Sequence, residues 1–349
     1  MIAGAIVSVC IGSGFATGQE LLQFFTAYGY KGVFTGLICL IIMCYCCCTL
    51  LMLGKSKKVK DSSDIFVYLF GKYIGSFFKI VIPLFCLCSF LVMISGAGAT
   101  LTQYYGINKT IGQVLIGLLS LISVMLGMNK VLEILGRIGP IIIIVVITVS
   151  IITIFKNFDN LDNVPQVLTR ISITKATNNW WLSGIIYSGL NIIFVTQFLV
   201  GAGSSLKSSS SCKWGGILGG VAFIGAAMFI NIAFLSDIEN VYKLDIPTLY
   251  MANNVSLIVA NIFTIILIAE IYTTAAPLLW NVCSSFAKEK TVKFNIIAVG
   301  CTILGILGGS LPFAKLVNIM YPISGVFGVI IIIGLVCKFP FYGFRKSAR

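Results

Sequence analysis

The first long apolar segment contains the sequence Gly12-Ser13-Gly14-Phe15-Ala16-Thr17-Gly18. Each glycine inside a helix costs roughly 1 kcal/mol relative to alanine, so three of them within one stretch predict an interruption. In a bilayer, the backbone N–H and C=O groups freed by an interruption need a ligand, an ion or water as partners. Close packing of helices through small residues is the alternative explanation for these glycines. An interruption makes the stretch a candidate binding site inside the membrane.

The whole chain has the composition of a helical membrane protein. Of its 349 residues, 58% are hydrophobic and 10% are charged, against roughly 25% charged residues in soluble domains. The apolar residues form continuous runs of about 20, which is the length that crosses a bilayer as a helix. These runs exclude a soluble enzyme and argue against a transmembrane β-barrel, whose strands alternate in polarity. The sequence contains no histidine, which excludes histidine-based acid–base chemistry and metal or haem ligation by histidine.

The apolar runs predict about ten transmembrane helices, called spans 1 to 10 here. Their approximate bounds are 1–25, 33–53, 74–101, 111–127, 131–155, 182–203, 214–236, 257–286, 294–311 and 316–338. Most basic residues fall in alternate loops, such as the loop after span 2 with Lys55, Lys57, Lys58 and Lys60. The positive-inside rule therefore predicts a multi-pass protein of the cell membrane with both termini in the cytoplasm.

The net charge and the cysteines have ordinary explanations in such a protein. The formal net charge of +13 is attributed to loops that face an anionic leaflet, and not to binding of nucleic acid. The twelve cysteines show neither metal-ligand spacing nor an extramembrane disulfide framework. They are interpreted as packing or lipid-facing residues.

The loop lengths suggest an internal repeat. Two linkers of similar length, 54–73 and 237–256, follow spans 2 and 7, and spans 3 and 8 are the longest in each half. Spans 1–5 and 6–10 are therefore interpreted as two copies of one unit, and an odd number of helices inverts the second copy. Inverted repeats are typical of secondary transporters; a coincidence of loop lengths is the alternative. Span 6 carries Tyr187-Ser188-Gly189-Leu190-Asn191 at the depth of the span 1 glycines, which predicts a second interruption.

Two interrupted spans predict where a solute binds. The ends of the half-helices offer backbone N–H groups and positive dipole ends to a carboxylate, and the free carbonyls suit Na⁺. The candidate substrate-binding residues are Ser13, Gly14, Ala16, Thr17 and Gly18 of span 1 with Tyr187, Ser188, Gly189 and Asn191 of span 6.

The segment from Gly12 to Glu20, followed by Gln23-Phe24-Phe25 and Tyr28-Gly29-Tyr30-Lys31-Gly32, is similar to the opening of the YkvI-like bacterial membrane protein family. That family resembles the amino acid–polyamine–organocation superfamily and its LeuT-type sodium symporters. The resemblance implies an all-α integral membrane protein with a LeuT-type five-plus-five inverted repeat, in which helices 1 and 6 are unwound in mid-membrane. The expected divisions are 1–155 for the first repeat, 156–181 for an extracellular linker, 182–338 for the second repeat and 339–349 for a cytoplasmic tail.

The resemblance also implies a sodium site between spans 1 and 8. Its carbonyl ligands correspond to Gly12 and Phe15, and the carbonyl of Glu270 with the hydroxyls of Thr273 and Thr274 completes the set. Oxygen ligands suit a hard cation. Hydrogen bonding of each threonine to its own helix is the alternative.

Two carboxylates leave proton coupling open. Glu20 and Glu270 fall inside predicted spans, where carboxylates are expensive and usually functional, so both are candidates for carrying protons. Arg137 of span 5 stands where some proton-coupled relatives carry a cation in place of sodium, and a residue that snorkels to the cytoplasmic surface is the alternative.

The predicted function is secondary active transport, by symport with Na⁺ or H⁺, of a small carboxylate-bearing solute such as an amino acid. No catalytic residue, no enzyme activity and no cofactor apart from a coupling ion is expected; the expected partners are the small-molecule solute and the lipid bilayer. The chain lacks a nucleotide-binding loop of the Gly-x-x-x-x-Gly-Lys-Ser/Thr type, which argues against an ATP-driven pump. The alternative function is a ligand-sensing receptor subunit, similar to germinant receptors, that binds a solute without moving it.

The predicted orientation can be tested with single cysteines in a variant cleared of the native ones. Lys58→Cys should resist an impermeant thiol reagent in intact cells, because the loop after span 2 is predicted to be cytoplasmic. Asp162→Cys, in the linker predicted to be extracellular, should react and serves as the control. Ready labelling of Lys58→Cys from outside would contradict the orientation and the repeat derived from it.

Overall fold

A computed structural model describes residues 2–56, 64–126 and 129–340, with side chains omitted for 129–140. Lys57, Lys58, Lys60, the side chain of Arg137 and the tail from residue 341 therefore lie outside the described residues. The described chain is almost entirely helical. Its helices are α1 (Ile2–Cys10), α2 (Ser13–Thr17), α3 (Gln19–Phe24), α4 (Lys31–Lys55), α5 (Ile65–Tyr105), α6 (Lys109–Leu126), α7 (Asn129–Lys156), α8 (Val164–Arg170), α9 (Trp180–Ser205), α10 (Ser209–Ser236), α11 (Ile238–Val241), α12 (Pro247–Val255), α13 (Leu257–Phe286), α14 (Val292–Gly308) and α15 (Phe313–Lys338).

Seven of the described helices are long and apolar enough to cross a membrane, namely α4, α5, α6, α9, α10, α13 and α15. An eighth crossing is obtained if Ile141–Lys156 and Phe158–Arg170, which meet at 79°, are counted as one bent span. Helix α14 is apolar but shorter. Together with the short helices α1 to α3, these elements fall on the ten predicted spans, and ten membrane crossings stay a prediction.

The predicted bounds agree well with the helices where an apolar run ends at a clear polar break. Helix α13 runs from Leu257 to Phe286, as predicted for span 8. The largest difference is in α5, which begins at Ile65 and bends at Gly71, where φ is 78°. The predicted span began after this bend, because the residues before it belong to a short helical stretch within the linker.

Span 1 is divided into three short helices. Helix α1 ends at Cys10, Gly12 is extended (φ −124°, ψ −176°), and α2 contains only the five residues Ser13–Thr17. Gly18 then adopts a left-handed conformation with φ of 83° before α3 begins. A residue with a Cβ is strained in this conformation, so the glycine permits the second interruption.

Span 6 is continuous, and the prediction that it is unwound is wrong for this structure. Helix α9 passes through Tyr187–Asn191 without a break. Gly189 is instead a site of close helix packing, because a Cβ at this position would lie 2.2 Å from the carbonyl oxygen of Gly325 in α15. One glycine that brings two backbones together has a different role from three glycines that interrupt a helix.

The helices pack in a pattern that repeats between the two halves. Helix α1 packs against α10 and α7, and α9 correspondingly packs against α4 and α15, while α5 and α13 pack against each other. A short helix, α12, precedes α13 in its linker, as the stretch before Gly71 precedes the main part of α5. This exchange of partners is what an inverted repeat predicts; the divisions at 155, 181 and 338 stay predictions.

Cysteines fill part of the contact between α4 and α10. The Sγ atoms of Cys44 and Cys48 lie 2.9 and 2.8 Å from the positions that a Cβ would take on Gly220 and Gly216. All twelve cysteines are free. This arrangement agrees with their interpretation as packing residues.

Gly189→Leu should destabilise the fold. The added side chain has to enter a backbone contact with α15, and overpacking of this kind costs at least about 1–3 kcal/mol. The measurement is thermal unfolding of the purified protein, followed by tryptophan fluorescence. Gly300→Leu is the matched control, because no atom lies within 4 Å of a Cβ at that helical position. Equal melting temperatures for the two variants would contradict the packing role of Gly189.

Candidate functional site

A cavity of about 590 Å³ lies next to the interrupted span and is called the central cavity here. Its size is within the range of small-molecule sites. The wall is formed by four residues of α1, by Gly12 and Glu20 at the break, and by residues of α5, α9, α13 and α15; the α1 residues are Ala5, Ser8, Val9 and Cys10. Among the predicted site residues, those that line it are Gly12, Glu20, Asn191, Thr273 and Thr274.

The structure brings the start of the break against helix α13. A Cβ on Gly12 would lie 3.9 Å from the Cγ2 atom of Thr274 and 3.6 Å from the terminal methyl of Met93. Gly12 and Thr274 are both residues of the predicted sodium site, and they are neighbours here through the methyl group of Thr274, so the site itself stays a prediction. Oxygen atoms from a break and from a neighbouring helix are suited to a hard cation.

The other predicted ligands already take part in hydrogen bonds. The Gly12 and Phe15 carbonyls accept from the N–H groups of Ala16 (2.9 Å) and Gly18 (3.0 Å). The Thr273 hydroxyl donates to the Glu270 carbonyl at 3.0 Å, which is the alternative considered for this threonine. The Gly12 and Phe15 carbonyls and the Thr273 hydroxyl each keep a lone pair for a cation, whereas the Glu270 carbonyl, inside α13, also accepts from the backbone N–H one turn later.

Glu270 itself is a buried carboxyl, and its side chain is only 2% exposed. Its Oε2 atom has no hydrogen-bond partner among the described residues. The side chain does not belong to the wall of the central cavity. A buried carboxylate without partners is costly, so Glu270 stays a candidate for proton binding.

Glu20 is held beside the break by the hydroxyl group of Tyr187. Its Oε1 atom accepts a hydrogen bond from Tyr187 Oη at 2.8 Å. Its Oε2 atom lies 2.5 Å from the position that a Cβ on Gly14 would take, and the Tyr321 ring is at 2.6 Å from the same position. Gly14, Glu20, Tyr187 and Tyr321 therefore form one cluster, in which the carboxyl reaches the wall of the central cavity.

Sequence reasoning missed Tyr321. The residue is 4% exposed and lies in α15 immediately before Pro322. A single tyrosine in a span has no distinctive spacing. The only signal was its place next to a proline inside a helix, where a hydrogen bond of the helix is lost.

Several predicted substrate residues lie in the break without lining the central cavity. Ser13, Gly14, Ala16 and Thr17 are buried, and Gly18 ends α2. The Ser13 hydroxyl has no partner among the described residues, whereas the Thr17 hydroxyl donates to the Gly14 carbonyl at 3.2 Å.

Most of the predicted substrate residues of span 6 do not line the central cavity. The Ser188 hydroxyl donates to the Gly184 carbonyl of its own helix at 2.9 Å, and Gly189 packs against α15. Asn191 donates to the Tyr187 carbonyl at 3.0 Å but still lines the cavity. Of the four predicted residues of span 6, Asn191 lies in the cavity wall, Tyr187 donates to Glu20, and Ser188 and Gly189 make contacts within and between helices; their part in binding a solute stays a prediction.

The side of the break away from the central cavity is closed by direct contacts. The Thr248 hydroxyl of α12 donates to the Ala16 carbonyl at 2.7 Å. A Cβ on Gly18 would lie 2.3 Å from the Phe234 ring. A separate cavity of about 250 Å³ lies beyond this closure, lined by Gln19, Gln23 and residues of the loops. Helix α3 contributes to both cavities, through Glu20 to the central cavity and through Gln19 and Gln23 to the smaller one.

Comparison with known sequences finds two relatives that match over nearly the whole chain. No family model matches the chain. It is 25% identical over 349 residues to the uncharacterized membrane protein YkvI of Bacillus subtilis (strain 168), covering 97% of this chain and 95% of YkvI. It is 22% identical over 338 residues to the uncharacterized protein YyaD of the same organism, covering 95% and 94% of the two chains.

Solved structures of the manganese transporter of Eremococcus coleocola superpose on nearly the whole chain. A mutant gives a TM-score of 0.59 at 12% identity, covering 99% of this chain and 81% of the transporter. The complex with an aromatic bis-isothiourea substituted compound gives 0.58 at 13% identity, with 99% and 80% covered. The chain has the fold of this transporter. The predicted LeuT-type membrane fold, apart from the unwinding of span 6 and the number of crossings, and the resemblance to YkvI are confirmed.

Proposed function

We propose that the chain is a secondary active transporter that moves a small carboxylate-bearing solute, such as an amino acid, by symport with Na⁺ or H⁺. The observation that supports this proposal is a cavity of about 590 Å³ at an interrupted span within a transporter fold. Irregular backbone at membrane depth is tolerated where it lines a cavity or lies within protein, and transporters bind their substrates at such breaks.

The asymmetry of the break supports alternating access. The central cavity is lined by α1, before the break, and the Thr248–Ala16 hydrogen bond closes the opposite side. With both termini in the cytoplasm, this arrangement corresponds to a state open toward the cytoplasm. Movement of spans 1, 2, 6 and 7 against the rest would exchange the open side.

Sodium is the first candidate for the coupling ion. Gly12 lies next to the methyl group of Thr274, and the proposed ligands are the carbonyls of Gly12, Phe15 and Glu270 with the hydroxyls of Thr273 and Thr274. The carboxyl groups of Glu20 and Glu270 are the candidates if protons drive transport instead. Manganese is the substrate named for the solved neighbour; among the described residues, no group of three or more acidic or sulfur side chains could hold a metal ion.

Uptake into proteoliposomes tests the function directly. Vesicles that contain the purified protein should accumulate labelled amino acids above the level of protein-free vesicles, and an inward Na⁺ gradient should increase accumulation relative to K⁺. Manganese is tested in parallel. Binding of an amino acid without uptake would contradict transport and favour the ligand-sensing receptor.

The double variant Thr273→Ala with Thr274→Ala should lose the sodium response of substrate affinity. Two ligands that bind cooperatively influence each other reciprocally, so removal of one site abolishes the effect. The measurement is substrate affinity at low and high Na⁺, at constant ionic strength.

Thr264→Ala is the matched control for this variant. Thr264 is a buried threonine of the same helix, and its hydroxyl donates to its own backbone at 2.8 Å. Loss of a bond of this kind costs only about 0.6 kcal/mol in membrane proteins. Thr264→Ala should keep the sodium response of the parent. If the double variant keeps it as well, the proposed sodium site is contradicted.

A further inference from the structure

The carboxyl group of Glu20 is buried beside the break and has no counter-ion among the described side chains. Its side chain is 5% exposed. Within the part of the chain that the structure describes, the residues that line the central cavity include no lysine and no arginine. The ion pair found in the described residues, Lys79 with Asp64, lies elsewhere. A buried charge is costly unless a partner of opposite sign compensates it.

The cluster around Glu20 is built to position a carboxylate and to leave one oxygen available. Tyr187 Oη donates to Oε1 at 2.8 Å. Tyr187 is fixed in turn by ring contacts with Phe24 and Phe25, whose centroids are 5.3 and 4.8 Å away. The Oε2 atom lies over Gly14, where the missing side chain makes room for it. This oxygen is the one available to a ligand in the cavity.

The rest of the wall is largely apolar. Val9, Leu190, Phe194, Phe198 and Leu278 line the central cavity, with a volume of about 590 Å³. Apolar walls with a few placed polar groups are typical of sites that bury the body of a ligand and orient it by one end. A ligand that fits this wall has an aliphatic or aromatic body.

We infer that Glu20 binds an ammonium group of the solute, and that the substrate class is therefore amine-bearing solutes with an apolar body. The inference rests on the proposed transport function and specifies its substrate. An amino acid with an apolar side chain belongs to this class, with its ammonium group on Glu20. A solute whose only charge is a carboxylate does not, because Glu20 repels it and the described wall has no cation to attract it.

Three probes of similar shape separate the charged groups. Leucine carries both an ammonium and a carboxylate group, isoamylamine carries only the ammonium group, and isocaproate carries only the carboxylate. Equilibrium binding to the purified full chain in lipid nanodiscs, at fixed pH and Na⁺, should detect leucine and isoamylamine but not isocaproate.

Glu20→Gln should weaken binding of leucine and isoamylamine by about 10- to 100-fold, because a hydrogen bond to a charged group is replaced by one to a neutral amide. The glutamine oxygen can still accept from Tyr187, so the fold should be kept, and thermal unfolding checks this. Tyr187→Phe keeps the charge and should weaken binding less. Glu239→Gln makes the same chemical change at an exposed position and should bind as the parent does.

The outcomes separate this inference from the proposed function. Parent-like affinity in Glu20→Gln, or binding of isocaproate in place of isoamylamine, would overturn the role of Glu20 while uptake of amino acids by the parent still supported transport. If the parent neither binds nor accumulates any of the probes, the proposed function fails, and the inference fails with it.

Discussion

The structure depends on how the backbone groups of span 1 are satisfied where the helix is interrupted. In hydrocarbon, each unpaired N–H or C=O group costs several kcal/mol. Local turns satisfy some of these groups, since the Ala16 N–H donates to the Gly12 carbonyl and the Gly18 N–H donates to the Phe15 carbonyl. The Ala16 carbonyl is satisfied from outside the span, by the Thr248 hydroxyl. The contact with α12 therefore stabilises the break, which links the conformation of span 1 to the linker before α13.

Much of the fold was predictable because membrane helices are set by length and polarity. An apolar run bounded by polar residues gave the bounds of α13, and three glycines in one segment indicated the break in span 1. The continuity of α9 was not predictable from Gly189 alone. A single glycine is compatible with an interruption and with close packing, and its partners Gly325 and Gly328 are far away in sequence. Only tertiary contacts distinguish the two roles.

The part of the candidate site that lies at the break could be predicted from the sequence. Gly12, Glu20 and the threonines of α13 follow from the position of the glycines and from the resemblance to sodium symporters, and the structure places them at one cavity. Tyr321 was not predictable, because its contribution depends on α15 crossing the break. The role of Tyr187 was predicted too simply, since its hydroxyl is directed at Glu20 and not into the cavity wall.

The position of Glu20 connects ligand binding with the geometry of the break. Glu20 is the second residue of α3, directly after the left-handed turn at Gly18, yet its carboxyl group extends back over Gly14 in α2. A positive group bound to this carboxyl therefore acts on both sides of the turn at Gly18. The same turn packs against Phe234 and Thr248, which close the opposite side. A change in the charge state or ligation of Glu20 thus acts on a helix that lines both cavities. A ligand shifts an equilibrium only through different interactions with its two states, and a carboxyl group that spans the turn at Gly18 is able to provide that difference.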